Sequence, residues 1–445
     1  MEWRGIAARA KRANKSLSPQ SRRPYDAAWH WVTLMGRLDF IGDLDRSKIV
    51  ALDFTTAEFR QQAHRLVADW ATRPPFYVLG KGPPQVIVGR YADVHQVFSD
   101  AERFASELPK GPGYEQYDKF MGLTFLTQTD GAQHARLRRL LIPAFGAHRM
   151  EQIESSITAI VEGMLDDIER AGPQFDGMTQ YGAKLVIGAL VSTMMGLNEA
   201  QQRVLIDYQE VLPLATARQP GEPYPAEYES VARRTAELVE YTIAERRAGR
   251  RADFLNDLVQ ARDRGDKLSD EELFGMIYGL FGSIAATSRS AGGALYTLYS
   301  HTDQLAQLIG DPALIPDAVE ECLRIASNGY FTFARIATRD TEVGGTPIYE
   351  GMIVRPSPLA ANYDPLVYPD PQRFDIHRKP KRIMSFAVGP HFCVGNILGR
   401  TTITIAIQRL LARFPKARLA DSDFAPVYGG AVGELRMINL PMLIQ

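Results

Sequence analysis

Apolar residues recur at three- and four-residue spacing through most of this chain and alternate only in short runs. The pattern predicts helices over 91–98, 150–171, 180–197 and 228–247, and a basic amphipathic one over 133–144. A run of helical spacing from 270 to 300 exceeds the usual helix length, so it should cross the whole molecule. A last helix is expected over about 394–414. Strand signals are few: 85–89 after Pro83-Pro84, short β-branched and Gly-rich segments between 331 and 356, and a pair around Gly429-Gly430. The stretch 212–226 holds Pro213, Pro220, Pro223 and Pro225 and reads as a loop. There is no internal repeat and no low-complexity linker. The expected fold class is mainly α with small β-sheets, as a single domain over 46–445 behind a basic arm at 1–45.

Charge and composition narrow the classes. Lys and Arg number 51 and Asp and Glu 52, a net charge of −1, so no bulk charge calls for nucleic acid or an anionic membrane. The charge-free stretches 273–288 and 383–399 fall short of the ~18 residues of a spanning helix, so no transmembrane segment is expected. Only Cys322 and Cys393 are present, which excludes a disulfide scaffold and fits a reducing, cytoplasmic location. The N-terminus carries Arg4, Arg9, Lys11, Arg12, Lys15, Arg22 and Arg23 against Glu2. Without an apolar region and cleavage site behind it, this reads as a mobile arm rather than a leader. Gly80-Lys81-Gly82 lacks a third glycine and leads into a strand, so it is not a dinucleotide fingerprint. Phosphate-loop, His-Glu-x-x-His and Cys-x-x-Cys motifs are absent.

One segment carries chemistry: Phe386, Ala387, Val388, Gly389, Pro390, His391, Phe392, Cys393, Val394, Gly395. A cysteine at the mouth of a helix is favoured as a thiolate by the helix dipole and the free N–H groups. Gly389 and Gly395 remove bulk so that a flat cofactor can approach, and Phe386 supplies an apolar wall. This suits an axial thiolate on haem iron, with Cys393 as the metal ligand. On its own, a buried structural cysteine would explain it as well.

The spacing Phe386, Gly389, Cys393, Gly395 resembles the haem-binding loop of the cytochrome P-450 family. Glu321-Cys322-Leu323-Arg324 resembles that family's Glu-x-x-Arg helix, and Tyr368 to Phe374 its Pro-Glu-Arg-Phe region, with Arg373 completing a triad. The resemblance runs from about residue 75 to the end. It implies a long central helix over haem b, with the thiolate loop beneath. It implies propionate contacts from His134, Arg138, Arg335 and His391. It also implies electrons from a separate ferredoxin or flavodoxin with its reductase, docking where Arg378, Lys379, Lys381 and Arg382 give positive charge. Family topology places substrate contacts at Tyr117, Phe120, Phe125, Leu212, Gly282, Phe331, Phe333 and Val432, mostly apolar. Arg218 is a nearby cation that could hold a carboxylate. A looser likeness is to bacterial enzymes that oxidise terpenoid acids.

The chain departs from the family where protons are delivered. The family's central helix offers an acid beside an alcohol, but here Gly282, Ser283, Ile284, Ala285, Ala286, Thr287 puts alanine at both positions. A register one residue off would instead place Thr287 at the alcohol position. Three routes remain: water held by Ser283 or Thr287, help from the substrate's own polar group, or peroxide chemistry. The expected function is a haem-thiolate monooxygenase acting on an apolar, possible terpenoid substrate, with a peroxide-driven peroxygenase and a non-catalytic haem sensor as alternatives.

Overall fold

A computed structural model describes residues 44–79, 84–107, 126–145, 147–192, 194–218, 222–249, 253–263, 268–283, 285–326, 329–331 and 333–445. Nearly all of the basic arm, the 80–82 segment, and Tyr117, Phe120 and Phe125 lie outside the described residues.

Helices dominate. The central one occupies Asp270–Ser283 and Ala285–Tyr299, with Ile284 undescribed between them. Its burial explains its composition: Leu273, Met276, Ile277, Phe281, Ala294, Leu295 and Leu298 are all buried in one helical core cluster. Around it pack Ala147–Ala171, Glu199–Thr216, Ala226–Ala248, Ile315–Ile325 and Asn396–Arg413. The expected 180–197 helix begins earlier and is wider: i→i+5 turns at Gly177–Gly182 and Ile187–Ser192 flank a short α-helical piece. The expected 212–226 loop is also shorter. Pro213 lies inside the last turn of Glu199–Thr216, and Ala217 closes that turn by donating to the Pro213 carbonyl. Proline is tolerated there because apolar burial of Val211, Leu212 and Ala215 outweighs the one helical bond it removes.

The sheets are small. One has five strands, ordered Phe76–Val78, Gln85–Val88, Ile353–Pro356, Arg335–Ala337, Phe104–Ala105. Gln85–Val88 runs parallel to Ile353–Pro356 and the other pairings are antiparallel. A hairpin pairs Tyr428–Gly429 with Arg436–Met437, as the Gly429-Gly430 signal predicts. No described helix is long and apolar enough to cross a membrane.

A buried ionic network ties these parts together. Arg324 forks onto Glu321, with Nε 2.7 Å from Oε2 and Nη2 2.8 Å from Oε1, and both side chains are fully buried. The third cation is not Arg373, whose side chain is exposed and which takes part only through its carbonyl. Arg378 fills the role: its Nε donates to Glu321 Oε1 at 2.9 Å, and its Nη groups donate to the carbonyls of Pro369, Asp370 and Arg373. The turn after Phe374 explains the exchange, because it folds Arg378 back over Glu321 while the Asp375 N–H reaches the same carboxylate at 3.2 Å.

Arg378→Ala is therefore expected to destabilise the fold by about 2–4 kcal/mol, because it strips one partner from a buried carboxylate. Arg373→Ala should stay within about 0.5 kcal/mol. Denaturant melts of the two variants measure the contrast.

Candidate active site

Cys393 lies two residues ahead of the Gly395 cap of Asn396–Arg413. Its N–H donates to the Phe386 carbonyl at 3.0 Å, closing the loop on itself. Its surface is open to solvent on one side. Protein crowds the sulfur elsewhere, and that burial pushes the thiol pKa up, while the Gly395 N–H, Arg138 and Arg400 pull it down.

The loop geometry is imposed by its neighbours. Gly389 has φ +73°, and a Cβ there would stand 2.6 Å from the Phe98 carbonyl oxygen, so only glycine fits. Ala387 holds φ +55° without being glycine, a conformation that costs about 1–3 kcal/mol. Gly395 differs: a Cβ there would meet Cys393 Sγ and Phe145 at about 4 Å, ordinary contact, so the protein alone does not require glycine. The room beside the sulfur suits a flat ligand. Phe386 lies under the Arg400 guanidinium, 4.2 Å from its ring centre.

The four propionate candidates meet beside this loop. The His134 and His391 rings are 4.1 Å apart. Arg138 Nη2 donates to the Phe392 carbonyl at 2.6 Å. Arg335 lies over the Phe98 ring, beside the Gly389 contact. Basic side chains outnumber acidic ones in the cluster. Arg335 is buried yet among the described residues donates only to the Phe333 and Ala334 carbonyls, and burial lowers its pKa to about 10. His134 is buried with Nε2 unpaired, and burial with the nearby His391 lowers its pKa to about 4. His134 Nε2 is left buried without a partner among the described residues, and Arg335 and Arg138 meet backbone carbonyls, so the residues present fit a ligand bearing carboxylates. The one acid here is Asp130, which the sequence reading missed. It accepts from His391 Nε2 at 3.2 Å and the Ser106 N–H at 2.6 Å; despite burial, these bonds hold its pKa near 2. The available signal was an acid four residues ahead of His134.

The central helix presents the distal side. The Ser283 hydroxyl donates to the Leu280 carbonyl at 2.8 Å and keeps its lone pairs as acceptors. Thr287 is half-buried, with no hydrogen bond of its hydroxyl among the described residues. Ala286 is half-buried and Ala285 opens the second helical stretch. Gln209 also reaches this point, its Nε2 3.3 Å from both the Phe281 and Gly282 carbonyls. No sequence signal marked it.

The apolar candidates divide. Leu212 is buried, and Val432 is linked to its helix through an N–H bond to the Thr216 hydroxyl at 3.1 Å. Phe331 is a packing residue: it stacks on Trp70 at 5.6 Å and meets Phe54 and Tyr330 edge-on. Phe333, by contrast, is exposed. Arg218 is committed to the Ala215 and Glu222 carbonyls and to the Tyr224 ring.

Comparison with known proteins agrees with this geometry. A family model described as Cytochrome P450 matches residues 312–431. "Cytochrome P450 FAS1" of Rhodococcoides fascians is 32% identical over 349 residues, covering 77% of this chain and 85% of that protein. "Mycinamicin IV hydroxylase/epoxidase" of Micromonospora griseorubida is 31% identical over 353 residues, covering 78% and 85%. The solved LnmA cytochrome P450 hydroxylase from the leinamycin biosynthetic pathway of Streptomyces atroolivaceus superposes with a TM-score of 0.73 at 30% identity, over 86% of this chain and 96% of that one.

Gly389→Ala should force the loop away from Phe98 and destabilise it by about 2 kcal/mol or more, with purified protein carrying less haem per chain. Absorbance at the Soret band against protein concentration reads the loss.

Proposed function

This chain belongs to the cytochrome P450 family, and on that premise we propose that it holds haem b on Cys393 and oxidises an apolar small molecule with electrons from a separate ferredoxin. It is an oxidoreductase of the monooxygenase class. The observation that carries the finer reading is the excess of basic side chains over the one carboxylate, Asp130, that the described residues bring beside the cysteine loop. His134 Nε2 is buried without a partner and Arg335 meets only backbone carbonyls among the described residues, and Arg138 and His391 lie at the same edge. These four would hold the two propionates, and Asp130 would keep His391 turned toward them.

When bound, the haem supplies dioxygen activation and insertion of one oxygen atom into the substrate. The chain's own part is distinct. The Gly395 N–H and the cations Arg138 and Arg400 favour the charged sulfur. Phe386 keeps water from its flank. On the distal side the Thr287 hydroxyl is available to donate to and accept from water for proton delivery, whereas Ser283 can only accept while its proton is donated to the Leu280 carbonyl. Ala285 and Ala286 supply no proton, so delivery passes through water or the substrate's own oxygen. The apolar lining at Leu212 and Val432 supports an apolar substrate, a terpenoid among the candidates, and relatives named for mycinamicin and leinamycin chemistry favour a natural product. Exposed Lys381 and Arg382 leave positive charge for an acidic redox partner, with Arg378 taken inward and Lys379 paired to Asp317. Such a protein works in the cytoplasm.

Product is expected with ferredoxin, reductase and NAD(P)H. Product with peroxide alone would replace this reading by a peroxygenase, and turnover under neither regime would sink both. Cys393→Ser should abolish both activity and the Soret position of the reduced carbon monoxide complex; retention of both would overturn the haem-thiolate assignment. Ala286→Thr is expected to change coupling of electrons to product by less than about threefold, since the native route does not use that position. Product per NAD(P)H consumed measures it.

A further inference from the structure

Gly282, Ala286, Arg289 and Gly293 of the central helix are spaced at i, i+4, i+7 and i+11 and share one face. Its neighbours are known. A Cβ at Gly293 would stand 2.8 Å from the Cβ of Ala326, which ends the Ile315–Ile325 helix. Arg289 Nη2 lies 3.2 Å from Glu434 Oε1. Glu434 closes a turn by donating its N–H to the Ala431 carbonyl at 2.9 Å, and that turn carries Val432. The next residue back, Gly433, accepts from the Phe331 N–H at 3.1 Å. Arg289 thus stands where the central helix, the segment after Arg324 and the last hairpin meet, one helical turn beyond Ala286.

A cation here is conspicuous because it is underused. The Arg289 side chain is only 10% exposed. Its Nε is buried without an acceptor, and Glu434 is its one polar contact among the described residues. A guanidinium carries five N–H donors, and each one left buried and unpaired costs about 1–3 kcal/mol. The group is no part of the propionate cluster, and Arg218 is already committed elsewhere.

We propose that Arg289 is the polar anchor of the substrate site, its unused guanidinium edge taking a neutral oxygen acceptor, a carbonyl or hydroxyl, on an otherwise apolar molecule. This rests on the reading of the site as that of a haem monooxygenase with an apolar lining. Glu434 decides the charge of the acceptor. It already neutralises Arg289, so a substrate carboxylate would add a second buried anion with no cation to match. A neutral oxygen completes the donors without that cost, and a site built around such a bond rejects analogues that lack the oxygen.

The test uses graded series of n-alkyl imidazoles, whose ring nitrogen binds haem iron and whose tails end in methyl, methyl ketone or carboxylate. Affinities come from difference spectra of the haem-loaded protein. In the native protein one tail length should favour the ketone over methyl by about fivefold or more. Arg289→Met should erase that advantage while leaving methyl-tail binding within about twofold. Glu434→Gln should turn the preference toward carboxylate by about tenfold. If Arg289→Met does not fold, Arg289→Lys keeps the charge beside Glu434 but loses the planar fork, and should reduce the ketone advantage. A ketone advantage that survives these Arg289 variants, no advantage at any tail length, or a native preference for carboxylate would each overturn the proposal. The reduced carbon monoxide spectrum of the native protein reports separately on the thiolate, so loss of the haem assignment is distinguishable from loss of the anchor.

Discussion

The Glu321–Arg324 pair is the contact on which the proximal half of the molecule depends. Both charges are fully buried, and such pairs contribute little net stability compared with apolar packing. Their value is geometric. Arg324 Nη1 donates to the carbonyls of Asn362 and Pro371, at 2.8 and 2.7 Å. Asn362, itself fully buried, returns a bond to the Arg324 carbonyl, donates to Ser385 and accepts from the Met384 N–H. Ser385 in turn donates to the Leu323 carbonyl. The residue after it is Phe386, whose carbonyl receives the Cys393 N–H. A series of buried and part-buried polar bonds thus runs from one helix to the segment whose carbonyl holds the Cys393 backbone, and each removes a freedom that the loop would otherwise have.

The two cationic clusters contrast with each other. Around Glu321 every charge has its partner within the chain. Around His134 and Arg335 the described residues offer one carboxylate, Asp130, and leave His134 Nε2 buried without a partner. The first arrangement is complete as a protein; the second becomes complete only with an anionic ligand. The gain from binding such a ligand is therefore partly relief of a cost already present in the fold, which favours retention of the group once it is in place.

What the sequence revealed follows from how local each signal is. Helical periodicity placed Tyr91–Ser99, Ala147–Ala171, Ala226–Ala248 and Asn396–Arg413 within a few residues, because one buried face suffices to specify each. The spacing around Cys393 was legible because the tight loop needs glycine at 389 for a steric reason that leaves its mark in the chain. Arg378 in place of Arg373 was not legible, since the two flank one turn and only its three-dimensional path decides which one meets Glu321. Asn362, Asp130 and Gln209 act through partners distant in sequence, and no periodicity records that. Pro213 misled for the opposite reason: its local veto on helix was overruled by burial of the residues around it.

Ala387 sets two aims against each other at one residue. Its left-handed backbone is held by the bonds on either side, and glycine would adopt it without strain. That exchange would relax the loop in the folded state. It would also widen the choice of paths open to the peptide between Phe386 and Cys393, loosening the aim of the sulfur. A more comfortable backbone here would be a less accurate one, so resistance to heat and fidelity of ligation select for different side chains at this position.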